Sequence, residues 1–280
     1  MYNENMFKKV VILIIFGVIL LQFAYSQVKN DMILVQGGTF VMGSPEGEVG
    51  ANPANESPVH TVTVKSFMLA KYPVTQAEYL DAVGVNPSIN KGSLDMPVDN
   101  VSWNLAVDYC NKRSVKEGLT PVYTIEGNNV TWDRSANGYR LPTESEWEFA
   151  CRAGTKTPFS SGNSMDEAGW YRDNSFITLE SGARNRSTYP VGQKKANAFG
   201  IYDMHGNVLE WCWDYFSPYT ADAKNDPIGP DKPMPGNTWR VYRGGCFDFI
   251  ASQCRSGYRF RQHQNFRMFY MGFRVARNAQ

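Results

Sequence analysis

The stretch GYRLPTESEWEFACRAG, residues Gly138–Gly154, predicts a helix whose two ends are both encoded in the sequence. The hydroxyl of Thr143 can accept hydrogen bonds from the free N–H groups of the first turn, and Glu146 lies where it completes a capping box. Gly154 tolerates the left-handed backbone conformation in which helices often end. We therefore expect a helix that begins after Thr143 and ends before Gly154.

Two further segments carry the same signals for a helix. Thr75 precedes the segment Gln76–Val83, and Ser102 precedes the segment Trp103–Lys116. A glycine follows shortly after each segment, so each has a side-chain oxygen at its start and a permissive residue at its end. The sequence therefore predicts about three helices.

The strands are expected to be short and the loops long. The candidate strands are Met32–Val35, Thr39–Met42, Thr61–Val64, Phe67–Ala70 and Gly272–Val275. Residues 160–193 and 217–239 are polar and rich in Gly, Asn and Pro, so we expect them to be irregular. Long ordered loops need many side-chain hydrogen bonds or a bound metal to hold them. These patterns predict a single α+β domain with few short strands and long irregular loops.

The composition excludes several classes of protein. The chain has 280 residues with 28 basic and 27 acidic side chains, a formal net charge of +1. Binding to nucleic acid or to an anionic membrane through counterion release needs a clustered basic surface, so neither is expected. Hydrophobic residues make up 42% of the chain and aromatic residues 14%, which is enough for a buried core and excludes wholesale disorder.

The first 26 residues resemble a secretory signal peptide. Lys8 and Lys9 precede an apolar run, Val10–Leu21, and small residues follow at Ala24 and Ser26. The run is too short to cross the hydrocarbon core of a membrane. We predict a signal peptide at residues 1–26, a mature domain at residues 27–280, and export to the periplasm, the cell surface or the medium. Whether the signal is cleaved or retained as an anchor stays open at this point.

A set of motifs runs in order along the mature chain. They are GGTFVMGS (37–44), ESPVHTVTV (56–64), KYPVTQAEY (71–79), NPS (86–88), PVDNVSW (97–103), GYRLPTESEWEFACRAG (138–154), NAFGIYDMHGNVLEW (197–211), RGG (243–245) and GFRVA (272–276). The set resembles the formylglycine-generating enzyme family, also called the sulfatase-modifying-factor family. The resemblance implies a C-type-lectin-like fold with a small central sheet, a few helices and abundant loops, which agrees with the predicted elements.

A calcium site is expected in the motif GIYDMHGNVLEW. Asp203 and Glu210 offer carboxylate oxygens, and hard oxygen ligands suit Ca²⁺. The resemblance implies that the ligands are Asp203, the carbonyl of Gly206, the carbonyl of Val208, and Glu210. In the alternative, Asp203 caps a turn and Glu210 pairs with a neighbouring arginine.

The family's oxidase chemistry is not expected in this chain. The resemblance implies that active members use two closely spaced cysteines just after a Gly-Gly-Ser motif, as thiolates for Cu(I). Here Cys246 stands at the serine position, and the next cysteine is Cys254. We therefore expect a non-catalytic member without copper. His60, His205 and His263 are isolated in sequence, so an iron site built on a histidine cluster is not expected either. A divergent sulfatase activator that uses Cys246 and Cys254 remains the alternative.

The segment 242–271 has an unusual composition between its glycine and arginine motifs. We predict that it forms a recognition surface, because aromatic side chains give a large contact area at low entropic cost. The predicted ligand-binding residues are Tyr242, Cys246, Asp248, Phe249, Ile250, Ser252, Tyr258, Phe260, Gln262, His263, Asn265, Phe266, Met268, Phe269 and Tyr270. The segment resembles the variable proteins of diversity-generating retroelements, in which such a lectin-type face is diversified.

The expected partner is a protein or glycan on another cell or on a host surface, and we expect a monomer. In a first alternative, individual rings such as Phe247, Phe260 and Phe266 fill the core, and Phe247 is expected there in any case. In a second alternative, the domain is a structural envelope component with fixed contacts.

Overall fold

The computed structural model describes residues 30–279, and the predicted signal peptide lies outside them. The described chain contains the α-helices α1 (Pro53–Glu56), α2 (Gln76–Val83), α3 (Trp103–Lys116) and α4 (Glu144–Arg152), and a 3₁₀ turn at Ala251–Cys254. No helix within residues 30–279 is long and apolar enough to cross a membrane.

The three predicted helices are confirmed, together with the side chains that begin them. Thr75 accepts a hydrogen bond from the backbone N–H of Glu78, and Thr143 accepts one from that of Glu146, and both complete capping boxes. Helix α2 ends at Gly84 with φ 86°. Helix α4 ends instead at Ala153, which itself adopts the left-handed conformation with φ 44°.

The strands are short and form several small sheets. They are β1 (Met32–Val35), β2 (Gly38–Met42), β3 (His60–Val64), β4 (Phe67–Ala70), β5 (Tyr123–Glu126), β6 (Asn129–Trp132), β7 (Gly169–Trp170), β8 (Phe176–Thr178), β9 (Arg184–Arg186), β10 (His205–Gly206), β11 (Leu209–Tyr215), β12 (Lys224–Asn225), β13 (Trp239–Arg243), β14 (Arg259–His263), β15 (Met271–Gly272) and β16 (Ala276–Asn278). The central sheet has the order β14-β13-β11-β15, and two three-stranded sheets have the orders β1-β4-β16 and β12-β3-β2. The mixed α+β class with short strands and long loops is confirmed.

The predicted strand Gly272–Val275 is wrong in its bounds. The chain forms β15 up to Gly272 and leaves the sheet at Phe273, whose carbonyl accepts from the N–H of Val74. It then pairs again as β16, from Ala276. The break lets the chain pass from the central sheet to the sheet of β1 and β4, and it places the side chain of Arg274 in the interior.

Strand β11 separates two hydrophobic cores. Leu209, Trp211 and Trp213 face one core, which also contains Trp103. Cys212 faces the other core, which contains Trp147, Leu69 and Val241. Both faces of this strand are buried, although its sequence, LEWCWDY, alternates between apolar and more polar residues. The polar positions Glu210 and Asp214 therefore lie in the interior.

Buried arginines hold the loops against these cores. Arg255, Arg259 and Arg274 are almost completely shielded from solvent. Each donates to backbone carbonyls, for example Arg259 to Asn55 and Ser217 at 3.0 Å, and each also pairs with a buried carboxylate. Loop pinning by arginine–carbonyl hydrogen bonds thus accounts for the order of long irregular segments.

Candidate recognition surface

The segment 242–271 starts on the central sheet and then leaves it in two loops. Strand β13 ends at Arg243, the loop 246–258 follows the two glycines, and β14 returns as the edge strand of the sheet. A second loop, 264–270, leads into β15. We call the exposed and half-exposed side chains of this segment the C-terminal surface.

Most of the predicted ligand-binding residues reach solvent. Ile250 is 43% exposed and Phe260 is 38% exposed. His263 and Asn265 are also exposed. The half-exposed members are Asp248, Phe249, Ser252, Tyr258, Gln262, Phe266, Met268, Phe269 and Tyr270.

Two of the predicted surface residues are buried, which corrects their placement. Tyr242 is only 8% exposed, because it lies in β13 and its ring packs between Trp211, 6.1 Å away, and Phe260, 6.0 Å away. Cys246 is fully buried in the same core, where its carbonyl accepts from the N–H of Phe249. Neither side chain is presented to a partner. Phe247 is buried too, as the sequence predicts.

The aromatic residues of the surface contact one another. The ring of Tyr270 lies 5.8 Å from that of Phe249 and 5.0 Å from that of Phe269. The buried ring of Phe247 lies 5.9 Å from Phe269 and joins the group to the interior. Rings that pack in this way lose little further side-chain entropy when a partner binds.

Hydrogen bonds from distant parts of the chain fix the backbone of the surface. Asn90 donates to the carbonyl of Phe269 at 2.6 Å, and is itself held by Asp99 at 3.1 Å. The N–H of Asn100 donates to the carbonyl of Met268 at 3.0 Å.

Arg172 supports the neighbouring loop. Its N–H donates to the carbonyl of Phe249 at 2.9 Å, and its side chain donates to the carbonyl of Asp248 at 3.1 Å. The hydrogen bonds to the backbone carbonyls of the C-terminal surface join residues 76 or more positions apart, so no local motif in the sequence could have revealed these supports.

The two candidate oxidase cysteines are buried thiols. Burial raises the pKa of Cys254 to about 12 and raises the pKa of Cys246 as well. Both therefore carry their protons at neutral pH, whereas a nucleophile or a copper ligand must be a thiolate. The thiol of Cys254 lies 4.0 Å from the carbonyl oxygen of Cys246.

The three histidines have different surroundings. His205 is buried, one ring nitrogen lies 2.8 Å from the carbonyl of Cys254, and the other accepts from the N–H of Ser160 at 3.0 Å. Burial lowers the pKa of His205 to about 4, so it is neutral. His60 contacts the carbonyl of Pro58 at 3.1 Å, and His263 is exposed.

The predicted calcium ligands are all buried, but Glu210 already has other partners. Both of its carboxylate oxygens accept from Arg274, at 2.6 and 2.8 Å, and one also accepts from the indole N–H of Trp147 at 2.7 Å. Glu210 in this arrangement does not fit a calcium ligand, because the guanidinium of Arg274 would have to leave.

Asp203 has weaker ties than Glu210. It accepts from the N–H of Gly192 at 2.7 Å and from Asn207 at 3.4 Å, and burial raises its pKa to about 6. Gly206 and Val208 are buried beside it in the same motif. Calcium binding at these residues stays a prediction.

The chain is similar in sequence to a known protein family. Residues 22–279 match the family described as "Sulfatase-modifying factor enzyme 1-like domain". The chain belongs to this family. It is 39% identical to "Chaperone protein LppX" of Paenibacillus barcinonensis over 78% of this chain and 79% of that protein. It is 31% identical to the formylglycine-generating enzyme of Streptomyces coelicolor, over 89% of this chain and 90% of the enzyme.

A solved structure with similar architecture is "Treponema denticola variable protein 1". It matches with a TM-score of 0.79 and 30% identity, and the match covers 91% of this chain and 97% of the treponemal chain. The family membership and the fold predicted from the sequence motifs are therefore confirmed. In this member of the family, Cys246 and Cys254 are buried, protonated thiols within a lectin-like fold.

Proposed function

We propose that this protein is an exported, non-catalytic binding protein that displays a variable C-terminal surface on a lectin-type scaffold. The observation that carries the proposal is the exposure of apolar side chains in the C-terminal segment. Hydrogen bonds from distant parts of the chain hold the backbone of its loops in place. Ile250 and Phe260 face solvent, and the rings of Phe249, Phe269 and Tyr270 are half-exposed in one contiguous group. Exposed apolar groups with a polar border are typical of interaction sites.

The buried residues that hold the segment, which we call the frame, are separate from the side chains of the C-terminal surface. This separation supports variability. The residues that hold the segment are Arg243, Arg255 and Arg259, and all three are buried. Each of these arginines pairs with a buried carboxylate, whereas Ile250 and Phe260 are exposed, so both can change while the ion pairs remain. Diversification at such positions is compatible with a stable fold, as the similarity to a protein named for its variability also suggests.

The proposed ligand is a protein or a glycan on another cell or on a host surface. Asp248, Gln262, His263 and Asn265 add exposed or half-exposed hydrogen-bonding side chains to the same segment, which either class of ligand can use. The protein is proposed to act as a monomer, to need no copper, and to have no nucleic-acid partner, in line with its net charge of +1.

The gene neighbourhood tests the variability. A reverse-transcriptase gene and a near-identical, non-coding copy of the sequence for residues 242–271 are expected beside this gene. In sister isolates, substitutions are expected to be confined to the exposed and half-exposed positions. An invariant segment without a template repeat would instead favour a fixed structural role in the envelope.

Binding can be tested with a matched pair of variants. Fluorescently labelled protein is titrated onto candidate partner cells and onto a glycan array. The double variant Ile250→Ser/Phe260→Ser is expected to lose at least tenfold in affinity. The control Val85→Ser/Val115→Ser removes exposed apolar side chains elsewhere, 61% and 65% exposed, and is expected to bind as the parent does. Equal binding by all three proteins would contradict the proposal.

Catalysis and calcium have separate tests. The protein is incubated with a sulfatase-derived cysteine peptide, Cu(I) and oxygen, and no mass change corresponding to an aldehyde is expected. Formation of the aldehyde would establish the enzyme alternative. For calcium, the prediction from the sequence is that a chelator lowers the melting temperature and that Asp203→Ala removes that dependence, whereas the ion pair of Glu210 with Arg274 favours an unchanged curve. An unchanged melting curve with chelator would end the calcium prediction.

A further inference from the structure

A cavity of about 490 Å³ lies outside the C-terminal surface. It is bounded by the end of β11, the start of α4 and the loop that follows β11. Its lining includes Asp214, Tyr215, Tyr219, Glu144, Lys224 and Arg259, and it contains none of the predicted ligand-binding or calcium residues. Its volume lies in the range of small-molecule sites in proteins.

Asp214 is a buried carboxyl group without a cation partner in this cavity. Asp214 is 5% exposed. Among the described residues, its one hydrogen bond comes from the backbone N–H of Glu144 at 2.7 Å. Burying an ionised carboxylate without a counter-charge is costly. Burial and the nearby charge of Glu144 raise the pKa of Asp214 to about 8.

The other acids of the cavity are already paired. Glu144 accepts two hydrogen bonds from Arg259, at 2.5 and 2.8 Å. Asp226 pairs with Lys65 at 3.4 Å and with Arg134 at 3.0 Å. Asp214 is therefore the acid of the lining that is left for a positively charged ligand.

Lys224 is the corresponding unpaired cation. It lines the same cavity, is half-buried in β12, and forms no ion pair with any residue in the range 30–279 that the structure describes. The rings of Tyr215 and Tyr219 and several prolines supply apolar and aromatic walls of the same cavity. A carboxyl group without an ion pair and a cation without an ion pair in a partly apolar cavity complement a small zwitterion.

We propose that this cavity binds a small zwitterion of the α-amino-acid class, with its ammonium group at Asp214 and its carboxylate at Lys224. The aromatic and proline walls favour a ligand with an apolar side chain. The cavity exceeds the size of a single amino acid, so a dipeptide also fits this class. The site does not rest on the proposed recognition function, because none of the predicted ligand-binding residues lines the cavity; Arg259, which holds the segment, is shared only as a buried lining residue.

Binding at neutral pH is linked to proton release. The protonated Asp214 must ionise to pair with an ammonium group, so ligand binding at pH 7 should release close to one proton. The titratable and charged groups that face Asp214 or share the cavity are Glu144, Glu146, Arg259, Arg240, Cys212, Tyr215, Tyr219, His60, Lys224 and Asp226. Of these, the acids oppose ionisation and the cations favour it.

Three related probes can separate the two charges. They are L-phenylalanine, phenethylamine, which lacks the carboxylate, and 3-phenylpropionate, which lacks the amine. Each is titrated into the full protein by calorimetry at pH 7 in two buffers of different ionisation enthalpy. Asp214→Asn keeps the shape of the side chain, and Lys224→Gln keeps most of its length.

The proposal predicts a specific pattern. L-Phenylalanine should lose about tenfold or more in affinity in each variant, as expected for the loss of a charged hydrogen-bonding partner. Phenethylamine should lose affinity only in Asp214→Asn, and 3-phenylpropionate only in Lys224→Gln. Proton release on binding of phenethylamine should vanish in Asp214→Asn.

Two controls keep the test falsifiable. Thr220→Trp adds an indole at an exposed residue of the loop that lines the cavity, and it should reduce binding of L-phenylalanine while leaving both charges in place. Melting curves establish that each variant is folded. The absence of binding by all three probes at 20 mM, or equal binding of L-phenylalanine by the parent and Asp214→Asn, would overturn the proposal.

Discussion

In the last part of the chain, several charged side chains are buried and several apolar side chains are exposed, which reverses the usual distribution. Arg243, Arg255 and Arg259 are buried, whereas Ile250 and Phe260 face solvent. Arginines are seldom fully buried unless they are paired, and here each has a carboxylate partner. The comparison shows that buried ion pairs fix the backbone, whereas the exposed apolar side chains remain available to a partner.

The arginine of the adjacent motif extends this frame. Arg274 joins β11, β4 and the loop at residue 202 through Glu210 and the carbonyls of Ala70 and Tyr202. Breaking a buried pair from one side leaves the other charge uncompensated, which costs more than the pair itself contributes.

The largest expected effect comes from breaking this ion pair. Arg274→Met should lower the free energy of unfolding by about 3–5 kcal/mol, because Glu210 would remain buried with only Trp147 as a partner. Urea unfolding followed by tryptophan fluorescence measures the loss. Arg277→Met, at the half-buried arginine in β16, is the control and should change stability by less than about 1 kcal/mol. Equal losses in both variants would contradict the role given to the buried frame.

The second expected effect concerns Asp214, a buried acid of the cavity that has no ion pair with any residue in the range 30–279. Its pKa is about 8 in the folded protein, against 3.8 as the ordinary value, so the folded state binds more protons between these limits. Stability from this group is therefore fully present at low pH and falls as the pH rises towards 8.

Asp214→Asn should remove this pH dependence. Between pH 5 and pH 7 the group contributes a fall in stability of about 3 kcal/mol, at about 1.4 kcal/mol per pH unit. The measurement is the difference between parent and variant in urea unfolding across that range, because Asp99 and Asp203, with pKa values of about 6, titrate equally in both. A difference that stays constant with pH would show that Asp214 is ionised in the folded protein.

The helices could be predicted from the sequence because their signals are local. Thr75 and Thr143 each act within three residues of themselves, as the capping boxes with Glu78 and Glu146 demonstrate. Strand β11 was not predicted, although LEWCWDY alternates apolar and more polar residues, because its first residues were interpreted as part of the calcium motif. The exposed members of the C-terminal surface were predicted from the composition of the segment together with its resemblance to diversified lectin-type faces.

The interior of that surface could not be predicted in the same way. Whether Tyr242 and Cys246 point inward depends on the pairing of β13 within the sheet, which is a long-range property. The partner of Glu210 lies 64 residues away in sequence, so the ion pair was one of two open alternatives for that motif. Composition identifies which residues suit a binding surface, whereas topology decides which of them reach it.

The smallest expected effect is on the outer side of the comparison. Phe260→Ala and Ile250→Ala should each change the free energy of unfolding by about 1 kcal/mol or less, because much of each side chain already lies in water. Phe247→Ala is the matched aromatic control, and it should cost about 3–5 kcal/mol because Phe247 is buried against the rest of the segment. Urea unfolding measures all three variants. A large loss at Phe260 would place that ring in the structural frame and take it out of the surface available to a partner, whereas small losses at Phe260 and Ile250 would leave both positions free to vary.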